Sequence, residues 1–203
     1  MEVALQPRMI QFSIAPAYQP SRTPEERNRR SVYAYRVRGL PDPFLETFNQ
    51  PNPNDSCERR DSAAVPPQAF TLLNSDVVRK RSIALAQRIA NTNTSTSDRV
   101  QTAFKLGLSR NPTQQELQKM TRFVEELSAT FANTAAKPIE YPTSIERSLV
   151  EEFTGKPFNY MEILPNYQDY IPDPTAADVP ADIQGLAELC LLLVNTHEFN
   201  YIY

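Results

Sequence analysis

The stretch ADIQGLAELCLLLVN, residues 181–195, decides how this chain folds. On a helix drawn through it, Leu186, Leu189, Cys190, Leu191, Leu192, Leu193 and Val194 cover most of the circumference. A helix that is apolar nearly all round belongs in the middle of a protein, with other helices around it. The run therefore predicts a buried central helix from about Ala181 to Asn195. No stretch reaches the roughly 18 consecutive apolar residues of a membrane-crossing helix, so no membrane span is expected.

Other helices can be read outward from that centre. Thr113-Gln-Gln-Glu116, directly after Pro112, is a capping box in which side chain and backbone satisfy each other at a helix start. The helix it opens sets Leu117, Met120, Val124, Leu127 and Phe131 at steps of 3, 4, 3 and 4, one apolar seam. Ser97, ending the polar loop Asn91–Ser97, is expected to cap a helix carrying Val100, Phe104 and Leu108. Pro66-Pro67 opens a helix through Leu73. Asn74 or Ser75 then fits the N-cap of another to about Ala90, with Val78, Ala86 and Ile89 on one stripe. A second box, Thr143-Ser-Ile-Glu146, predicts a shorter helix to about Phe153.

Strand patterns lie near the start. Met9–Ile14 alternates, with Ile10, Phe12 and Ile14 on one face, and Ser31–Arg38 alternates with Tyr33, Tyr35 and Val37 inward. These predict an antiparallel pair that needs helices to cover it. Prolines make 39–65 irregular, apart from one helical turn at Phe44, Leu45 and Phe48. Residues 154–180 form a Pro/Tyr-rich connection. The expected fold is mainly α. It is a helical, bundle-like single domain over 1–203, with a small two-stranded antiparallel element near the N-terminus and long Pro-rich loops.

Composition narrows the function classes. The chain has 203 residues, 40% apolar and 22% charged, with net charge -3, which argues against a general nucleic-acid binder. Pro 18 against Gly 4 implies stiff connections and few sites for positive φ. Residues 21–38 hold six Arg against two Glu, and residues 140–203 hold eleven acids against two bases. This asymmetry reads first as surface decoration; the alternative is that the two ends attract each other within one fold, through surface pairs each worth only about 0–1 kcal/mol. Met1–Leu5 contains an acid and no apolar leader core, so no signal peptide is expected in this chain.

Candidate chemistry is sparse. Cys57 and Cys190 could form one disulfide in an exported chain or remain two thiols, with Cys190 as a small core hydrophobe. There is no C-x-x-C pair, so the c-type haem attachment sequence is missing and no cofactor is expected in this chain. His197, the only histidine, could be a base oriented by Glu198, or simply a cation favoured at a helix end. Arg27-Asn28-Arg29-Arg30 with Tyr33 and Tyr35 has the look of a basic aromatic nucleic-acid patch. Arginine is also the residue that pairs bidentately with carboxylates inside a fold, and that reading is preferred. Arg60 in Cys57-Glu-Arg-Arg60 could bind an anion with Ser62, or clamp its loop. Tyr141, Tyr160, Tyr167 and Tyr170 could form a carbohydrate- or protein-binding surface.

An ordered set of segments resembles the C-terminal planctomycete-type domain catalogued as domain of unknown function 1553. The set comprises FSIAPAYQP (12–20), NRRSVYAYRVR (28–38), DPFLETFNQP (42–51), CERRDS (57–62), PQAFTLLNS (67–75) and LSRNPTQQEL (108–117). TGKPFNY (154–160) and LCLLLVNTHEFNYIY (189–203) complete it. The resemblance implies a periplasmic or extracellular chain, the C-terminal part of a larger architecture. Haem c would then be carried by the parent protein, and the partners would be missing N-terminal domains or a protein of the same assembly. It implies no catalytic residues. It singles out Arg29, Arg30, Tyr33, Cys57, Arg60, Gln68, Asn74, Asn195, Glu198 and Phe199 as architectural: arginine clamps, a helix cap and a C-terminal plug. The resulting expectation is a noncatalytic structural or interaction module. The alternatives are an enzyme domain acting on polysaccharide or in electron transfer through Arg60, His197 and Glu198, and the tyrosine surface.

Overall fold

The computed structural model describes residues 21–34, 41–52, 54, 56–59 and 66–201. The alternating run Met9–Ile14, residues 35–38 of the second run, and Arg60 lie outside them. In chain order the elements are α1 (Pro24–Arg27), α2 (Pro43–Thr47), α3 (Pro66–Asn74), α4 (Asp76–Ala90), α5 (Thr96–Leu108) and α6 (Gln114–Ala132). Then follow β1 (Ser144–Val150), β2 (Pro157–Ile163), α7 (Pro165–Gln168), α8 (Ala181–Val194) and α9 (His197–Asn200), with 3-10 turns at Ser31–Tyr33 and Ala176–Asp178. The fold is mainly α with one small antiparallel pair, as its sequence implies. None of the described helices is long and apolar enough to cross a membrane. The chain divides into two compact units, Met1–Asp42 with Glu140–Pro172, and Pro43–Ile139 with Asp173–Tyr203.

The second unit is helical and is built around α8. Leu186 and Leu189 are wholly inaccessible, and Ile183, Cys190, Leu191 and Leu193 are buried with them. Against this rod pack Ile83, Ala86 and Ile89 of α4, Val100, Ala103 and Phe104 of α5, and Val124 of α6. Only one glycine of the described core is required by close approach. A Cβ on Gly185 would stand 2.8 Å from the Val124 carbonyl oxygen and 3.0 Å from the Ser128 amide nitrogen, so α8 and α6 touch backbone to side there. The α6 capping box forms as read, with Thr113 N donating to Glu116 Oε2 at 2.7 Å. Leu117 and Met120 extend its seam into partly buried ground.

One helix start differs from expectation, and a second keeps the expected cap residue without its side-chain bond. Ser95, not Ser97, caps α5: its hydroxyl accepts from Asp98 N at 3.1 Å, because Ser95-Thr-Ser-Asp98 is itself a box-like spacing. Ser75 occupies the N-cap of α4 without a side-chain hydrogen bond, and Asn74 turns back to donate to the Phe70 carbonyl at 2.9 Å.

The first unit corrects the strand reading. The two-stranded element lies at 144–163, in the C-terminal half, rather than near the N-terminus. Ser31–Tyr33 is a 3-10 turn, with Tyr33 N donating to Arg30 O at 2.9 Å and Ala34 N to Ser31 O at 3.1 Å. Tyr33 is 73% exposed, so it is no inner-face residue. The expected helix after Thr143 is β1, and part of the 154–180 connection is β2. They pair antiparallel with Arg147 opposite Tyr160 and Glu146 opposite Met161. Glu146 accepts from Asn159 Nδ2 across the hairpin at 3.1 Å instead of turning back to cap Thr143. On the other face Arg147 Nε donates to Glu162 Oε2 at 2.5 Å. Gly155, at φ 66, makes the left-handed bend between the strands, where a side chain would be strained.

Arg27 is the centre of this unit and is fully buried. Its Nη1 donates to the carbonyls of Ser21 (2.8 Å) and Arg22 (3.2 Å), and its Nη2 to that of Ile171 (2.6 Å). The guanidinium also lies 4.6 Å from the centre of the Tyr170 ring. Buried charge is tolerated only when hydrogen-bonded, and three carbonyls meet that need here.

Candidate functional site

The C-terminal motif Thr196-His197-Glu198-Phe199 folds as α9, capped by Thr196, whose hydroxyl accepts from Phe199 N at 3.3 Å. Its charge is met at the corner between α5 and α6. Ser109 ends α5 in the left-handed region at φ 56, a turn normally reserved for glycine, and so sets Arg110 on the corner. Arg110 Nη1 and Nη2 donate to Glu116 Oε2 and Oε1 at 2.9 and 2.8 Å. Its Nε and Nη2 donate to Glu198 Oε1 and Oε2 at 2.6 and 3.0 Å. One planar guanidinium thus holds two carboxylates bidentately, a geometry open to arginine and closed to lysine.

The electrostatics follow from that fork. Hydrogen bonding to Arg110 lowers the Glu116 carboxyl from 4.5 to about 2, helped by the Thr113 amide and hydroxyl. Arg110 likewise holds Glu198 below the ordinary glutamate value. The hydrogen bonds to Glu116 and then to Glu198 raise Arg110 above its already high value. Both carboxylates are thus favoured in the ionised form, each with both oxygens engaged by Arg110. His197 stacks on Tyr201, ring centres 5.0 Å apart, and makes no hydrogen bond to Glu198, so the alternative of an imidazole–carboxylate pair is not assembled.

The remaining motif residues are spread over both units. Gln68 Nε2 donates to the Thr47 carbonyl at 3.1 Å and ties α3 to α2. Asn195 Nδ2 donates to Leu191 O at 2.8 Å and closes the end of α8. Phe199 remains 45% exposed, so the plug is incompletely buried. Arg29 and Arg30 are exposed. Cys57 is an exposed free thiol whose Sγ donates to Arg59 O, and Cys190 is a buried free thiol pushed up to about 12 by burial. An exposed loop thiol and an inert core thiol, with no haem-attachment spacing between them, do not fit covalent haem c. Among the described residues no group of three or more His, Cys, Asp or Glu could hold a metal ion.

Of the four tyrosines, Tyr141, Tyr167 and Tyr170 gather, with ring centres 4.9 to 6.0 Å apart, while Tyr160 pairs with Phe158. All four are half-buried, so the three form a small aromatic core around Arg27 more than an open platform. The charge asymmetry of the chain is realised locally, with Arg22 Nη1 3.6 Å from Asp169 Oδ2, both well exposed.

Sequence reasoning did not single out Arg110 or the Arg79–Glu188 pair, which is 2.6 Å apart, and it named Arg27 only as one member of the basic run 27–30. Arg110 had a signal: an arginine just before Asn-Pro-Thr and a box glutamate sits within reach of that carboxylate. Arg27 had none, since four arginines cluster within nine residues and only the fold shows which one turns inward.

Together these features define a mainly α-helical chain with one small antiparallel hairpin among its described residues. The chain belongs to the family described as Protein of unknown function (DUF1553), which matches residues 3–124, more than half its length. No curated protein and no solved structure matches it.

Proposed function

We propose that this chain is a noncatalytic structural or interaction module, working as the C-terminal part of an exported, planctomycete-type, cytochrome c-associated assembly. One observation carries the reading. Glu198, the carboxylate that would orient His197 as a base, is bound on both oxygens by Arg110, at 2.6 and 3.0 Å. A carboxylate so held serves the framework. Gln68 and Asn195 likewise spend their amides on backbone carbonyls. Haem in this reading sits in the parent protein or a partner, in a periplasmic or extracellular setting.

The hairpin supports the interaction half of the proposal. Val150 (65% exposed), Met161 (60%) and Ile163 (62%) share one face of β1 and β2, and Phe153 stands 94% exposed beyond the strand end. Met161 and Ile163 are neighbours on that face, and adjoining exposed apolar side chains mark protein contact surfaces. Missing N-terminal domains or a partner protein of the same assembly would cover them.

The test is co-expression of the full chain with a haem-bearing segment of the parent protein, comparing wild type with the Met161→Lys/Ile163→Lys double variant. Co-elution of the wild type, lost in the double variant while its helical circular dichroism stays unchanged, is the expected result. The proposal is overturned if the two variants co-elute equally or if neither associates. It is also overturned if the purified chain turns over a substrate in a manner abolished by His197→Ala.

A further inference from the structure

A cavity of about 170 Å³ opens between α4, α8 and the end of α6, with apolar walls from Ile83, Phe131, Ala176, Ala187 and Leu191. Its size restricts what it can hold. An apolar cavity of about 150 Å³ accepts a benzene-sized group, whereas sites for drug-sized ligands run to roughly 300–1,000 Å³. One aromatic ring or one branched aliphatic group fits, and a nucleotide or haem does not.

The polar lining settles the head group. Gln184 donates its Nε2 to the carbonyls of Ala176 and Val179, and the Ser82 hydroxyl donates to Val78 O, so both are committed to the fold. Arg79 and Glu188 are different. Their ion pair joins Arg79 Nη1 to Glu188 Oε1 at 2.6 Å, and their side chains keep 47% and 28% exposure. Among the described residues no side chain engages the other guanidinium N–H groups or the second carboxylate oxygen, which leaves them to a ligand. A lone carboxylate approaching Arg79 would meet the charge of Glu188, and a lone ammonium approaching Glu188 would meet that of Arg79. A zwitterion offers each its opposite. Separating a solvent-exposed pair costs little net stability, and the exchange replaces one ion pair by two.

We propose that this cleft binds a free apolar amino acid, with a leucine- or phenylalanine-sized side chain in the cavity, its carboxylate on Arg79 and its ammonium on Glu188. The site is independent of the proposed assembly role.

The experiment titrates the full ¹⁵N-labelled chain with L-leucine and L-phenylalanine, alongside N-acetyl-L-phenylalanine methyl ester, which keeps the ring and loses both charges. The expected result is saturable shifts at the amides of Ile83, Ala187 and Leu191 with at least one amino acid. Binding should be about tenfold weaker for the ester and in Arg79→Gln or Glu188→Gln. Ala187→Leu fills the cavity and should abolish the shifts. If that variant does not fold, the two surface substitutions, which leave the core intact, still decide the matter. No saturable shift from either amino acid overturns the proposal. So do ester binding as tight as that of the amino acids, and indifference to both glutamine substitutions.

Discussion

The two compact units keep their shape by opposite means. In the helical unit the large fully buried side chains include Leu186, Leu189, Ile89 and Val100, and the contact is between hydrocarbon surfaces. Among the described residues of the hairpin unit the most buried large side chain is Arg27, and it meets three carbonyl oxygens and a tyrosine face. Hydrophobic burial is non-directional and scales with area, so the first arrangement tolerates small shifts. Hydrogen bonds to a buried charge are directional, and leaving them unmade is costly. The helical unit should therefore lose stability in proportion to volume removed, and the hairpin unit by the loss of a single group.

The most severe way to test the first half is to end the chain at Pro180, which removes α8. The family match stops within α6 at Val124, so the matched segment lacks the helix that α4, α5 and α6 surround. Such a chain should show no cooperative unfolding transition by circular dichroism, and a sharp one would show that α4–α6 can close on themselves. More gently, Leu189→Ala leaves a cavity at a wholly buried position and should cost about 2–5 kcal/mol in urea unfolding. For the second half, Arg27→Met keeps a long side chain but removes every donor. Three carbonyls then lose their partner, for an expected cost of about 2–4 kcal/mol. Hydrogen exchange should quicken at Ile171, whose amide donates to Arg22 O at 2.9 Å, while α8 stays protected. Unchanged exchange at Ile171 would remove the contrast between the units.

Two glycines sharpen the comparison within the helical unit. Replacing a mid-helix glycine by alanine ordinarily stabilises by up to about 1 kcal/mol. At Gly107 of α5 a new Cβ would lie 3.8 Å from Leu193 Cβ, an ordinary contact, so Gly107→Ala should raise the melting temperature. At Gly185 the same methyl would press on the α6 backbone at 2.8 and 3.0 Å, so Gly185→Ala should lower stability by about 1–3 kcal/mol. Equal signs from the two substitutions would mean that α8 can move away from α6 and that their packing is looser than the distances indicate.

The helical unit was largely legible and the hairpin unit was not, for a physical reason. Helix signals are local: the Thr113–Glu116 box, the seam from Leu117 to Phe131 and the leucines of α8 act within a few turns of themselves. Strand pairing is decided by a distant partner. Thr143-Ser-Ile-Glu146 carries a helix-start spacing, yet Glu146 bonds to Asn159 and Arg147 to Glu162, residues thirteen and fifteen positions away. The alternation of Ile145, Arg147 and Leu149 was present to be read, but only the partner strand makes it decisive. The site divides in the same way. Thr113 and Glu116 announced themselves through spacing. The bond from Glu198 back to Arg110 spans 88 positions and joins two motifs that nothing in either one connects.

That long bond supplies the smallest effect and the finest test. Arg110 lowers the carboxyls of Glu116, to about 2, and of Glu198, so their contribution to the folded state is complete above the ordinary glutamate value of 4.5. It fades as the pH falls from there toward the lowered values, since the unfolded chain takes up protons first. Both side chains are substantially exposed, so screening keeps the global effect small. The local effect should be larger, because α9 is a single short helix held to the corner through Glu198. Amide protection at Asn200 and Tyr201, corrected for intrinsic exchange, should be level above pH 4.5 and decline below it. Glu198→Gln should lower that protection and flatten its pH dependence while leaving α8 unchanged. A Glu198→Gln chain with wild-type protection and a wild-type pH profile would mean that Thr196 capping alone holds α9, and that Arg110 serves only the start of α6.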